Sequence, residues 1–154
     1  MRVVFALVYL LVIALLAHPM GEAFPKTAFH PERFPLRTYP WETRLYRLLR
    51  VAKWKDKVPD MSKRLSDMQP KKLLSVSAQQ MDALLCEMCR AESVHWAEVL
   101  LGLGCVFIAP GIGWLIWTIW ALLGNLPFIL IQRYNRPRIL ALKNRLARAR
   151  QKGA

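Results

Sequence analysis

Acidic side chains are scarce in this chain: 10 Asp and Glu stand against 23 Lys and Arg, leaving a formal charge of +13. Histidine and cysteine are rarer still, with 3 of each. An odd handful of thiols does not build a disulfide framework. Cys86 and Cys89 make one C-x-x-C, but tetrahedral zinc asks for four ligands and there is no second pair. His95 adds one ligand at best, so no metal and no cofactor are expected, and the two thiols read as small helix-facing side chains. The 154 residues suffice for one compact unit, and no periodic repeat runs through them.

What the chain has in abundance is apolar surface: 55% of its residues are hydrophobic and the mean hydropathy is +0.20. A chain both basic and greasy does not suit a nucleic-acid binder, because the grease has to be covered by something, and no nucleic-acid partner is expected. It suits a multi-pass membrane protein whose basic segments face an anionic leaflet, with anionic lipids as partners.

Val3 to Ala17 is almost uninterrupted aliphatic sequence and, with its flanks, forms a short transmembrane anchor over residues 1–20. The competing assignment is a secretory signal peptide with Gly21-Glu22-Ala23 as its cleavage site. Only Arg2 precedes the apolar run while many cations follow it, a bias that favours a retained anchor with its amino terminus outside. Pro19, Pro25, Pro31, Pro35 and Pro40 punctuate the next stretch and forbid long helices there, at the start of a cytoplasmic segment over residues 21–76. From Trp41 onward, Leu45, Leu48, Leu49 and Ala52 share one helical face while Glu42, Arg44, Arg47, Arg50 and Lys53 lie largely on the other. That is the pattern of a basic amphipathic helix on a membrane surface.

Residues 77–138 hold the polar cluster and a transmembrane hairpin. Ser77-Ala78-Gln79-Gln80 has capping-box spacing and starts a long helix. The helix carries Glu87, Arg90, Glu92 and His95, then crosses the bilayer from about Glu98 to Ile108. Pro110-Gly111-Ile112-Gly113 breaks it into a hairpin. Trp114 to Ile131 returns, interrupted by Asn125 and by Pro127, which frees a backbone carbonyl. Gln132 to Arg138 emerges at the surface where the cluster began. Residues 139–154 form a basic amphipathic tail with Ile139, Leu142, Leu146 and Ala149 on its apolar side.

Of the three histidines, His95 alone sits in a polar constellation. A neutral imidazole can take a proton from an alcohol, and Glu92, three positions earlier on the helix, is placed to orient it. Arg90, Arg133, Arg136 and Arg138 offer guanidinium forks to a phosphate or pyrophosphate. Asn125, or backbone N–H groups near Pro127, can face an oxyanion. A base, phosphate-binding cations and a greasy cavity are the parts an acyl transfer needs. The bland alternative is that His95 and Trp96 anchor the helix at the interface while the arginines pair with glutamates or lipid headgroups. Glu92-x-x-His95 is also half of a carboxylate-bridged di-iron site, which needs that motif twice and two further glutamates.

The stretches Lys53-Trp54-Lys55, Arg90-Ala91-Glu92 with His95-Trp96, Asn125 with Pro127, and Gln132-Arg133-Tyr134-Asn135-Arg136-Pro137-Arg138 resemble the glycosyl-4,4'-diaponeurosporenoate acyltransferase family. They span residues 41 to 140 in the family's order, and the last run is long and unusual. Glu87, Arg90, Glu92, His95, Asn125, Arg133, Asn135 and Arg136 coincide with its polar motif positions, whereas Cys86 and Cys89 lie outside the pattern. The resemblance implies esterification of a sugar hydroxyl, on a glycosylated carotenoid acid, with a fatty acyl group.

The expectation is therefore an all-α integral membrane protein with three transmembrane helices, the first a retained anchor, plus basic amphipathic surface helices. It lies in the cell (inner) membrane with the polar site and carboxy terminus cytoplasmic. His95 and Glu92 are the candidate catalytic residues; Glu87, Arg90, Asn125, Arg133, Asn135 and Arg136 are the candidate substrate contacts. The partners are an acyl donor (acyl-CoA or acyl carrier protein) and a glycosylated lipid acceptor. The rival from another class is a non-catalytic adaptor that binds anionic lipid or escorts partner enzymes.

Overall fold

The computed structural model describes residues 1–23, 25, 29–58 and 78–152. Helix α1 (Arg2–Ala23) runs through Pro19, which does not stop it as expected, and is 22 residues long. At 1.5 Å per residue that is about 33 Å, enough to cross a hydrocarbon core of about 30 Å. Ala6, Leu10, Ile13 and Ala17 recur at helical spacing and are buried, while Val4, Phe5, Leu7, Leu15 and Leu16 are exposed. An apolar helix with so much bare aliphatic surface needs lipid on that side. Among the described residues, three helical stretches are long and apolar enough to span: Arg2–Ala23, Gln79–Ile108 and Ile112–Arg145.

Helices α2 (Glu42–Leu48) and α3 (Val51–Trp54) follow. The expected single helix from Trp41 to Lys53 breaks at Arg50, whose φ of 50° lies in the left-handed region. The break turns Val51 fully inward. Trp41, Leu45, Leu48 and Leu49 are exposed, so the apolar side of α2 faces away from the protein, as it would on a membrane surface.

Helix α4 (Ala78–Gly102) is succeeded by α5 (Gly104–Ile108). Ser77 of the expected capping box lies outside the described residues. Around Leu103 the turn tightens: the Leu103 amide donates to Leu100 O at 3.2 Å and the Val106 amide to Leu103 O at 3.0 Å. Tyr9 causes this from α1. Its hydroxyl donates to Leu101 O at 2.8 Å, and a Cβ on Gly104 would sit 2.6 Å from that hydroxyl. Glycine alone lets the tyrosine in.

The hairpin at the far end turns on Gly111, with φ at 86°, and closes on Gly113, where an added Cβ would lie 2.2 Å from Cys105 O. Helix α6 (Ile112–Ile119), a π-helical stretch (Trp120–Asn125) and α7 (Leu126–Lys152) then form one continuous rod. Gln132 to Arg138 is thus helical, and Pro137 sits inside the helix. The tail runs straight on and buries Ile139 against Met81, Leu85 and Met88 of α4, with Leu142 packed nearby. Lys143 pairs with Asp82 across the same contact.

Helix α1 runs antiparallel to the α4–α5 rod. Ala6, Leu10 and Ile13 cluster with Cys105 and Ala109 near the hairpin end, while Glu22 meets Arg90 at the other. The bundle therefore has one apolar end and one polar end.

Gly113→Ala should lower stability by about 3 kcal/mol, because main-chain atoms rather than a flexible side chain must move. Gly124→Ala, whose Cβ would make an ordinary 3.5 Å contact with Trp120, should stay within about 1 kcal/mol of wild type. Thermal unfolding in detergent micelles compares the two.

Candidate functional site

The polar residues of α4 do not share one face in practice. Those pointing to α1 and those pointing to α7 build different structures. Arg90, almost buried, turns to α1, where its Nη2 lies 2.7 Å from Glu22 and also binds Glu87. Both predicted contacts, Glu87 and Arg90, thus help tie down the end of α1.

Glu92 turns to α7 and is 1% exposed. One carboxylate oxygen takes Arg133 Nη1 at 2.5 Å; the other takes Arg136 Nη2. Arg133 extends the network to Glu42, with Nη2 at 2.7 Å and Nε at 3.0 Å, a bidentate pair. It also donates to the carbonyls of Arg37 at 2.9 Å and Pro35 at 3.4 Å. Arg136, fully buried, donates to Leu36 O, and its Nε has no partner. Two cations and two anions form a neutral knot that straps residues 35–42 onto α4 and α7. Arg133 and the two terminal nitrogens of Arg136 make their hydrogen bonds inside this knot. Asn135 is half-buried beside them.

Sequence periodicity assigns Glu42 to the solvated face of α2, yet it is 3% exposed. Its carboxylate accepts the Tyr39 amide at 2.9 Å, in the manner of a capping box, as well as the Tyr46 hydroxyl. Burial alone would raise its pKa, but hydrogen bonds from Arg133, Tyr46 and Tyr39 outweigh it and hold the carboxyl below its ordinary value. Burial and then the neighbouring Glu42 carboxylate push the Tyr46 hydroxyl up. The signal was a lone acid among Arg44, Arg47 and Arg50, four positions before a tyrosine.

One turn deeper lies His95. Its Nδ1 is 2.9 Å from Asn125 Oδ1 and 3.6 Å from Glu98 Oε2. Its ring stacks on Phe128, with centroids 4.9 Å apart and planes 14° from parallel. The i−3 carboxylate expected to orient it, Glu92, is instead turned to the two arginines; Asn125 and Glu98 occupy that place. Asn125 is fully buried, and its amide oxygen meets the histidine ring. Its Nδ2 donates to Trp120 O at 3.2 Å. Trp120 opens the π-helical stretch that precedes Pro127, where the regular i−4 hydrogen bonding is interrupted. That carbonyl fixes which way the amide points, and Oδ1 must then face the imidazole. Nδ1 accordingly carries the proton, and Nε2 keeps its lone pair.

On the opposite side of α4, a cavity of about 270 Å³ separates it from α1. Its wall is apolar, with Phe29 as its one aromatic ring, apart from Ser93 and Glu98. Glu98, 8% exposed, was not among the candidate residues; it links this cavity to the imidazole. The described residues bring no three His, Cys, Asp or Glu side chains together in a metal-binding group.

A family model described as glycosyl-4,4'-diaponeurosporenoate acyltransferase matches residues 25–145. Proteins of that name from Staphylococcus aureus are similar over nearly the whole chain. The one from strain bovine RF122 is 26% identical over 151 residues, covering 94% of this chain and 89% of its own. The one from strain MRSA252 is 27% identical over 149 residues with the same coverage. No solved structure matches.

The lowered Glu42 pKa has a stability consequence with a definite sign. The carboxylate's contribution is complete above its ordinary value of 4.5 and is lost as pH falls through the depressed folded value. Wild type should melt above Glu42→Gln at neutral pH, and the gap should narrow as the pH is taken below 4.5. A gap that does not change with pH would remove Glu42 from the knot's charge balance.

Proposed function

The chain belongs to the glycosyl-4,4'-diaponeurosporenoate acyltransferase family, and from that premise we propose that His95 is the general base of an O-acyl transfer to a glycosylated lipid. The donor is a fatty acyl thioester on coenzyme A or acyl carrier protein, and the acceptor is a sugar hydroxyl of a glycosylated carotenoid acid. The observation that carries the base assignment is the ordered imidazole: Asn125 holds Nδ1–H, and Nε2 is left as the proton acceptor.

In this reaction the sugar hydroxyl attacks the thioester carbonyl carbon while Nε2 takes its proton. The tetrahedral intermediate collapses with cleavage of the carbon–sulfur bond, and the imidazolium returns the proton to the departing thiolate. The products are an ester and a free thiol. Glu98, 3.6 Å from Nδ1, stabilises the transient imidazolium by its charge. Asn125 acts as a positioning residue through its grip on the ring.

Because Arg133 and Arg136 are engaged in the knot, the donor's phosphate falls to exposed cations around it. Arg138, stacked 3.5 Å over the Tyr134 ring, and Arg37, 5.7 Å from that of Tyr39, are the nearest candidates by chain position. The excess of basic residues after α1 and after Ile131 supports placing the polar end in the cytoplasm.

His95→Ala should abolish the ester, a loss of about 10²–10⁴-fold, while unfolding at the wild-type temperature in detergent. Asn125→Leu should lower kcat far more than it raises KM. Lipid mass spectrometry of cells carrying each form reads the product directly. A folded His95→Ala protein that still makes the acylated glycolipid at the normal rate excludes the base assignment. Loss of ester only when other enzymes are co-expressed would favour the adaptor.

A further inference from the structure

The cavity between α1 and α4 lies on the other side of α4 from the stacked His95 ring, and nothing in the base assignment uses it. Its walls come from Ile13, Ala17 and Gly21 on α1 and from Ser93, Ala97 and Leu101 on α4. The helices bring small side chains to the contact there: Ala17 faces the side of α4 that carries Ser93 and Ala97, and the missing bulk is the void. From Ser93 to Leu101 the slot runs about 12 Å along the helix at 1.5 Å per residue. Its upper end lies near the level of Glu92 and the polar knot; its lower end is closed by Ile13 and Leu101 in the apolar half of the bundle.

We infer that this slot seats the acyl chain of the donor, and that Ala17, Ala97 and Leu101 set the chain length accepted. The inference rests on the acyl-transfer reading above and adds where the chain lies. Three observations choose this occupant. The volume of about 270 Å³ is below the range of about 300–1,000 Å³ that encloses drug-sized ligands, which suits one slender alkyl chain better than a two-chain lipid. The wall is mostly apolar, with polar groups only at Ser93 and Glu98, so it suits a chain better than a sugar. Glu98, the one ionisable side chain on the wall among the described residues, also lies 3.6 Å from His95 Nδ1, so a single side chain connects the slot to the imidazole around the flank of α4. A chain lying in it keeps its carbonyl within reach of the polar end while its methyl end points toward Ile13 and Leu101.

Two measurements test this. In the first, the full-length protein in micelles is labelled with a long-chain acyl thioester carrying a diazirine near its methyl end, and the labelled peptide is sequenced. Label within residues 93–101 or on α1, displaced by unlabelled acyl thioester, is expected. Label elsewhere, or displacement by the glycosylated polyene acceptor alone, overturns the assignment. In the second, the acyl profile of the ester is compared for wild type, Ala97→Leu, Ala17→Leu and Leu101→Ala. Filling the slot from either helix should lower the ratio of long-chain to short-chain product about tenfold or more, and Leu101→Ala should move the profile toward longer chains. An unchanged profile in all three correctly folded variants overturns the length-setting role. Labelling of 93–101 without any ester formed by wild type would keep the binding site and discard the acyl-transfer reading.

Discussion

Two glutamates and two arginines shut away from water hold the polar end of this bundle together. Burying each of these ions costs several kcal/mol, so the arrangement survives only because the partners meet closely and the spare donors find carbonyls. Glu92 is shared by Arg133 and Arg136, Glu42 binds Arg133 as well, and the carbonyls of Pro35, Leu36 and Arg37 take further N–H groups, leaving Arg136 Nε alone without a partner in the knot. Net attraction in a lipid-embedded bundle cannot come from hydrophobic burial between spans, since lipid tails are as apolar as leucine. The knot, the Trp117 and Trp120 indoles on the carbonyls of Val99 and Glu98, and the Tyr9 hydroxyl on Leu101 supply the specific contacts instead. Their combined effect is register. A slip of α7 by one turn along α4 would take Arg133 off Glu92 and Asn125 off His95 together, so the charges that bind nothing outside the protein decide where the imidazole points.

The π-helical stretch connects backbone geometry to proton chemistry. Proline at position 127 has no N–H to give, and the rod accommodates it by widening over Trp120–Asn125. The carbonyl of Trp120 captures one end of the Asn125 amide, the other end captures Nδ1–H, and the remaining ring nitrogen is the basic one. An asparagine suits this position better than a carboxylate in one respect: it orients the ring without adding charge to a buried site.

Much of the frame was legible in the sequence. Long apolar runs announce spans, Pro-Gly-Ile-Gly announces a hairpin, and the hairpin must return Arg133 to the level of Glu92. What the sequence hides is partnership. Spacing on one helix shows Glu92 beside His95, but the Glu92 side chain chose Arg133 and Arg136, 41 and 44 positions away, because a carboxylate meets less resistance to burial beside two guanidinium groups than beside a neutral ring. Glu42 is the same case: a helical wheel places it with the arginines on the wet side, and only Arg133, 91 residues on, pulls it inward. Pro137 misleads in the opposite sense. It suggests a break, yet the apolar contact of Ile139 with Met81, Leu85 and Met88 rewards continuing the helix. Glu98 looks like the threshold of a span and proves to be a buried neighbour of the imidazole.

The far turn at Ala109-Pro110-Gly111 is so short that it offers almost nothing hydrophilic to the compartment beyond it. A molecule with one wet pole cannot act as a conduit between two aqueous spaces. Whatever polar fragment is released in a reaction at the knotted end goes back to the side it came from, and a hydrophobic product departs sideways into the surrounding leaflet. Such a body behaves less like a pore than like a stopper seated from one side, its buried charges gathered at a single rim.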